Sequence, residues 1–137
     1  MATKIVIDAG HNGLSDPGAV YNGRRESDDT LRLAMAVGEI LSRSGYDVDY
    51  TRTGNINQSV IQKAQLANDT DADLFISIHR NMSEVPGSYH GVQSLVYDLN
   101  GQKLTMAEAI NKNLEGVGFR NINVEARPDL AVLRRTK

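Results

Sequence analysis

The spacing of apolar residues along the chain alternates between the period of a helix and the period of a strand. The helical period is clearest over residues 26–44, where Leu33, Val37, Ile40 and Leu41 fall on one face with Ala34 beside them, and Gly45 follows as a C-terminal stop. The pattern therefore predicts an amphipathic helix with one buried face.

Shorter segments predict the remaining elements. Helical spacing of apolar residues predicts two further helices, over residues 59–68 and 103–117. Short apolar runs bounded by polar residues predict strands over residues 4–8, 46–51, 74–78, 91–97 and 130–133. Strands that alternate with helices are typical of the α/β class. We expect an α/β fold in a single domain, with a mostly parallel central sheet of about five strands flanked by about three helices.

Composition narrows the classes of protein that fit this pattern. The chain has 137 residues, of which 40% are hydrophobic, enough for one domain with a single core. The formal net charge of -2 gives no sign of a nucleic-acid or anionic-membrane partner. The sequence shows no signal peptide or transmembrane segment. Because it contains no cysteine, a metal site would use His, Asp or Glu.

Two of the three histidines directly follow predicted strands. His11 stands in "DAGHNG" after the first strand, and His79 ends "LFISIH" after the third. In open α/β sheets ligands bind beyond the carboxyl ends of the strands, so both imidazoles could converge there. Glu26 begins the first predicted helix, and the glycine-rich segment before it could fold the carboxylate back toward His11. Two imidazoles and a carboxylate are a catalytic zinc set, which suggests metal-assisted hydrolysis.

Each of these residues also has a plainer interpretation. His11 could belong to a phosphate-binding turn, although "DAGHNG" matches neither GxGxxG nor the Walker pattern. Glu26 could only complement the positive end of a helix. His79 could be a hydrogen-bonded histidine at the end of a strand. His90, the third histidine, has no partner that the sequence identifies.

Several blocks of sequence stand in a characteristic order: "IVIDAGHNG", "NGRRESDDTLRLA", "LSRSGYDVDYTR", "SVIQKAQLAN", "ADLFISIHRN" and "DLAVLRRTK". In that order they resemble the zinc-dependent N-acetylmuramoyl-L-alanine amidases of bacterial cell-wall remodelling and phage endolysins. The resemblance implies Zn²⁺ as cofactor, with ligands at His11, Glu26 and His79. It also implies peptidoglycan as substrate, cleaved at the amide between the lactyl group of N-acetylmuramic acid and L-alanine of the stem peptide.

The family's general base is a glutamate outside the metal shell, on a strand after the segment that matches "VLRRTK". That position lies beyond Lys137, so the catalytic residue within this chain stays unknown. Glu84 and Glu125 do not stand in the family's position. We therefore expect residues 1–137 to be a zinc amidase-like catalytic domain that lacks its C-terminal strand and helix.

Three basic residues depart from the family pattern or complete it. Arg80 stands where relatives commonly have a small residue and could bind the carboxylates of the stem peptide, or could be a solvated surface arginine. Lys63 replaces an arginine, which leaves any buried ion pair there in doubt. Arg52 keeps the family pattern and is interpreted as structural.

The expected site of action is the bacterial cell wall, extracellular or periplasmic. The lack of a leader sequence would fit a phage endolysin or a trimmed exported enzyme. Two other functions stay open. One is an inactive relative that binds zinc and muropeptide without turnover. The other is a nucleotide or phosphate binder of doubly wound type that uses the "DAGHNG" turn. The oligomeric state is left open.

Overall fold

The structure is a computed structural model. It describes residues 3–11, 18, 20–21, 23–56, 58–79, 92–97, 99, 101–130, 133 and 136. The chain divides into two compact units, Met1–Asn81 with Arg135–Lys137, and Met82–Arg134.

The first unit is built on a parallel sheet of three strands. Its elements are β1 (Lys4–Ala9), β2 (Val20–Tyr21), β3 (Arg24–Arg25), α1 (Glu26–Arg43), β4 (Asp47–Tyr50), α2 (Val60–Asp69) and β5 (Leu74–Ile78). The sheet has the order β4-β1-β5, and both pairings are parallel. Strands β2 and β3 form a separate antiparallel pair. Strand β1 is therefore the central strand of the sheet.

The core of the first unit lies along β1. Ile5, Ile7 and Ala9 are buried, and Ala34 of α1 is buried with them. Strand β1 has a paired strand on each side, and its residues Ile5–Ala9 are buried.

The two helices of this unit begin with different signals. Helix α1 has three acidic residues in its first turn, Glu26, Asp28 and Asp29. Their negative charges stabilise the helix, because the helix dipole is positive at this end. Helix α2 begins with a capping box, in which the Ser59 hydroxyl accepts from the Gln62 backbone and the Gln62 side chain accepts from the Ser59 backbone. These signals agree with the helix starts predicted from the sequence.

The second unit contains a parallel strand pair joined through a helix. Its elements are β6 (Val92–Val96), α3 (Gly101–Gly116) and β7 (Asn121–Ala126). The buried side chain of Asn111 on α3 connects all three. Its amide oxygen accepts from Ser94 Oγ at 2.6 Å, and its amide nitrogen donates to Asn121 Oδ1 at 3.2 Å and to the Asn123 carbonyl at 2.8 Å.

The predicted strand over residues 130–133 is wrong. Leu130 has no regular structure and Leu133 is helical, while the two residues between them lie outside the described ranges. The strand after α3 is β7, which the sequence analysis did not predict. Its half-buried positions are apolar, Ile122, Val124 and Ala126, and its exposed positions are polar, which is the period-2 pattern of a half-covered strand. The signal for β7 was therefore present in the sequence.

The predicted α/β class is confirmed, with parallel strands and three helices among the described residues. The expectation of a single domain over residues 1–137 stays a prediction. Among the described helices, none is long and apolar enough to cross a membrane.

Candidate metal centre

Strand pairing brings the two predicted histidines to the same edge of the sheet. Ala9 of β1 lies opposite Ile78 of β5, and the backbone N–H of Gly10 donates to the Ile78 carbonyl at 2.9 Å. His79 directly follows Ile78, and His11 follows Ala9 after Gly10. Because parallel strands end at a common edge, the two imidazoles lie close together.

Glycine is required where the two strands end. A Cβ on Gly10 would lie 2.6 Å from the Ile78 carbonyl oxygen and 2.7 Å from His79 Nδ1, closer than real Cβ contacts allow. His11 itself has a φ of 65°, in the left-handed region that costs energy for a residue with a side chain. The turn after β1 is therefore strained and closely packed against His79.

Glu26 completes the cluster from the first residue of α1. His11 Nε2 and His79 Nδ1 each lie 3.1 Å from Glu26 Oε2. The two imidazole rings stand edge to face, with centroids 4.9 Å apart. One potential ligand atom from each residue lies within 4.8 Å of the other two. The structure thus brings together the three residues that the sequence analysis selected.

The three side chains differ in their access to solvent. The Glu26 side chain is 3% exposed, that of His11 is 24% exposed and that of His79 is 44% exposed. A buried carboxylate is stable only when charge or hydrogen bonds compensate it, and a metal cation would supply such charge. Two imidazole nitrogens and one carboxylate oxygen suit a divalent transition metal. The cluster could therefore hold a metal ion that solvent reaches on the His79 side.

Two buried cations contact the backbone of the turn that presents His11. Arg52 Nε donates to the carbonyls of Ala9 at 3.2 Å and His11 at 2.9 Å, and Arg52 Nη2 donates to the Gly10 carbonyl at 3.0 Å. Lys63 Nζ donates to the Ala9 carbonyl at 2.9 Å and to the His11 carbonyl at 2.7 Å. The cations therefore act on the backbone of the turn.

The Asp8 carboxylate compensates the positive charge of the two buried cations, Arg52 and Lys63. Its Oδ1 lies 2.8 Å from Lys63 Nζ, and both side chains are almost fully buried. Asp8 also accepts hydrogen bonds from Thr51 Oγ1 at 2.8 Å and Ser77 Oγ at 2.5 Å. Burial lowers the pKa of Arg52 from its ordinary value, while the Asp8 carboxylate acts in the opposite direction.

The structure settles two interpretations of basic residues. Arg52 is buried and bonded to backbone carbonyls, as its structural interpretation predicted. Lys63 forms a buried ion pair with Asp8 although it replaces an arginine of the family pattern. Sequence reasoning gave Asp8 no role. The only signal was a carboxylate inside an otherwise apolar strand, where a buried partner is expected.

Four further residues were named in the sequence analysis, and only one of them lies within the described ranges. Arg80, Glu84 and His90 lie outside the described residues. Glu125 lies on β7 in the second unit, where its side chain is 46% exposed and lies 4.0 Å from Arg127. Neither the substrate-binding role of Arg80 nor a general base is assigned by these contacts.

A parallel α/β sheet with a His–Glu–His cluster at its carboxyl edge defines an α/β protein with a candidate metal centre. A sequence model of the N-acetylmuramoyl-L-alanine amidase family matches residues 5–137. The chain belongs to this family.

Named relatives agree with this assignment. The endolysin of Bacillus phage SPP1 is 35% identical over 143 residues, an alignment that covers 99% of this chain and 51% of that protein. The sporulation-specific N-acetylmuramoyl-L-alanine amidase of Bacillus subtilis (strain 168) is 36% identical over 120 residues, covering 85% of this chain and 45% of that protein. The chain thus spans about half the length of these curated relatives.

Solved structures share the fold. The crystal structure of N-acetylmuramoyl-L-alanine amidase from Clostridium difficile 630 superposes with a TM-score of 0.90 at 26% identity, covering 99% of this chain and 75% of that chain. The catalytic domain of an N-acetylmuramoyl-L-alanine amidase from Bacillus (Paenibacillus) polymyxa var. colistinus gives a TM-score of 0.87 at 25% identity, covering 98% and 75%.

Proposed function

We propose that this chain carries the metal site of a zinc-dependent N-acetylmuramoyl-L-alanine amidase. The reaction is hydrolysis of the amide between N-acetylmuramic acid and the L-alanine of the peptidoglycan stem peptide. The observation that supports it is the compact cluster of His11, Glu26 and His79 in a chain whose family carries that name. The site of action is then the bacterial cell wall.

The three clustered residues would hold zinc through two imidazole nitrogens and one carboxylate oxygen. Zinc, when bound, supplies Lewis acidity, which polarises a carbonyl oxygen and makes water a better nucleophile near neutral pH. Glu26 contributes a negative charge from a buried position, and the half-exposed His79 leaves the cluster accessible to a large substrate.

The general base is assigned to none of the described residues. The resemblance to the family assigns this role to a glutamate that is not a metal ligand. A side chain in that role would take a proton from water and pass it to the leaving amine. Substrate binding by Arg80 likewise stays a proposal, based on the attraction between a guanidinium and the carboxylates of the stem peptide.

The test is the release of new L-alanine amino groups from purified peptidoglycan. It is run on the 137-residue chain, and on the natural gene product that carries it if that product is longer. We expect release by the zinc-loaded form that carries the general base, loss after removal of zinc by a chelator, and recovery when zinc is restored. His79→Ala should abolish release, because it removes one of the three ligands. The surface variant Asp69→Asn on α2 is the matched control and should release at the normal rate.

Two outcomes would contradict the proposal. If no zinc-loaded form releases L-alanine amines, the chain is not an amidase. If such a form binds peptidoglycan only in the presence of zinc and still releases nothing, the alternative of an inactive zinc- and muropeptide-binding relative is supported. A screen of nucleotides by thermal shift tests the doubly wound binder, and stabilisation by a nucleotide would favour that class instead.

A further inference from the structure

Three consecutive carbonyl groups at the end of β1 are each bound by two side-chain donors. The Ala9 carbonyl and the His11 carbonyl each accept from both Arg52 and Lys63. The Gly10 carbonyl accepts from Arg52 Nη2 at 3.0 Å and from Thr30 Oγ1 at 2.9 Å. A carbonyl oxygen has two lone pairs, so the acceptor capacity of this turn is filled by side chains.

The donors come from three different parts of the first unit. Thr30 lies on α1, Arg52 follows β4 and Lys63 lies on α2. All three are buried. We call these three residues the carbonyl clamp, because they converge on the turn 9–11 from separate elements.

Lys63 has no donor to spare for another partner. Its ammonium group carries three N–H donors, and it contacts the carbonyls of Ala9 and His11 and the carboxylate of Asp8 at 2.7–2.9 Å. Arg52 also donates to the carbonyls of Ser27 at 2.9 Å and Gly54 at 3.1 Å. Burying two cations is costly unless each is paired or hydrogen-bonded, and here both are.

The turn needs such support because His11 adopts a left-handed backbone conformation, with a φ of 65°. Strained backbone persists only where the surrounding contacts hold it. The clamp fixes the carbonyls on both sides of the His11 Cα, and those peptide groups determine where the imidazole stands relative to Glu26.

We propose that Arg52, Lys63 and Thr30 are positioning residues for the metal site, which hold His11 in its ligating position through the backbone of the turn. The clamp does this without contributing a ligand. This inference rests on the proposed function, since it assigns the clamp to the same His11, Glu26 and His79 site. If the clamp only supported folding, its removal would lower the stability of the protein. The zinc affinity of the folded protein would then stay unchanged.

The test compares zinc affinity with stability in matched variants, with zinc affinity measured by competition with a chromophoric chelator. Lys63→Met keeps an unbranched side chain and removes the donors, and we expect about tenfold or greater loss of zinc affinity in the folded protein, the scale seen for residues that support metal ligands. Lys63→Arg restores donors at the same position and should recover most of that affinity.

Ala67→Gly, buried on the same helix, is the control for stability. It should lower the melting temperature and leave zinc affinity unchanged. If Lys63→Met does not fold, Thr30→Val decides the question. It removes a hydroxyl that donates to the carbonyls of Gly10 and Ser27 and accepts from Arg52 Nη2 at 3.5 Å, and it leaves both buried cations in place. Reduced zinc affinity in Thr30→Val supports the clamp, and unchanged affinity overturns it.

If the wild-type protein binds zinc and cleaves its substrate, and Lys63→Met binds zinc with the same affinity, the inference about the clamp is overturned. The proposed function then stays intact. Wild-type protein that binds no zinc would overturn both.

Discussion

Asp8 shows how a single buried charge can organise a functional turn. It lies on the central strand, between apolar neighbours, and its side chain is 2% exposed. A carboxylate in that position is stable only with several partners, and it has Lys63, Thr51 and Ser77. The ion pair in turn fixes Lys63 beside the carbonyls of the turn. A charge inside the core is thus linked to the placement of His11.

Gly10 offers a direct test of packing at the site. Gly10→Ala would place a Cβ 2.7 Å from His79 Nδ1 and 2.6 Å from the Ile78 carbonyl, so either the imidazole or the strand must shift. We predict a loss of about 1–3 kcal/mol in the free energy of unfolding. We also predict about tenfold weaker zinc binding, measured by titration against a chelator.

Gly54→Ala is the matched control for this substitution. A Cβ at Gly54 meets no atom within 4 Å. The free energy of unfolding should change by no more than about 0.5 kcal/mol, as is usual for a surface substitution away from special backbone features. If Gly10→Ala binds zinc as tightly as Gly54→Ala does, the close approach of Gly10 to His79 has no part in forming the site.

At the scale of elements, the cluster depends on which ends of which elements are adjacent. Strands β1 and β5 are parallel neighbours, so their carboxyl ends deliver His11 and His79 together. Helix α1 delivers Glu26 from its first residue. His11, Glu26 and His79 therefore each lie at or close to the end of a packed strand or helix. No long loop separates any of them from that element.

The second unit has an equivalent polar anchor in Asn111, which joins α3 to both strands. Asn111→Ala would remove partners of Ser94 Oγ and the Asn123 carbonyl, at about 1–3 kcal/mol for each buried group left unsatisfied. We predict faster hydrogen exchange of the β7 amides, measured by NMR or mass spectrometry. Asn113→Ala, on an exposed position of the same helix, should leave the exchange rates unchanged. Equal exchange rates in the two variants would show that Asn111 does not anchor the strands.

Much of this arrangement could be predicted from the sequence because it follows from local patterns. Periodicity predicts the helix starts at Glu26 and near Ser59 and the strand Leu74–Ile78. The two histidines were selected because they follow strands. Strand β7 could also have been predicted, because its apolar residues Ile122, Val124 and Ala126 alternate with polar ones. The clamp could not be predicted, because its acceptors are backbone carbonyls, which are the same for every residue type.

At the scale of the whole molecule, the fold and the family assignment support the same interpretation of the site. The family model extends over residues 5–137, and the cluster lies entirely within the first unit. The phage endolysin and the sporulation-specific amidase that match the chain at 35–36% identity are longer proteins, of which the chain covers 51% and 45%. We expect this unit to bind one zinc ion through His11, Glu26 and His79.

The most direct measurement of that claim is the zinc content of purified protein after equilibration with Zn²⁺, determined by atomic absorption. We predict about one zinc per chain in the wild type, the stoichiometry of a single three-ligand site. His11→Ala, Glu26→Ala and His79→Ala should each lose it, while substitution of the third histidine, His90→Ala, should retain it. A wild-type chain without zinc, or zinc that persists in all three ligand variants, would contradict the account.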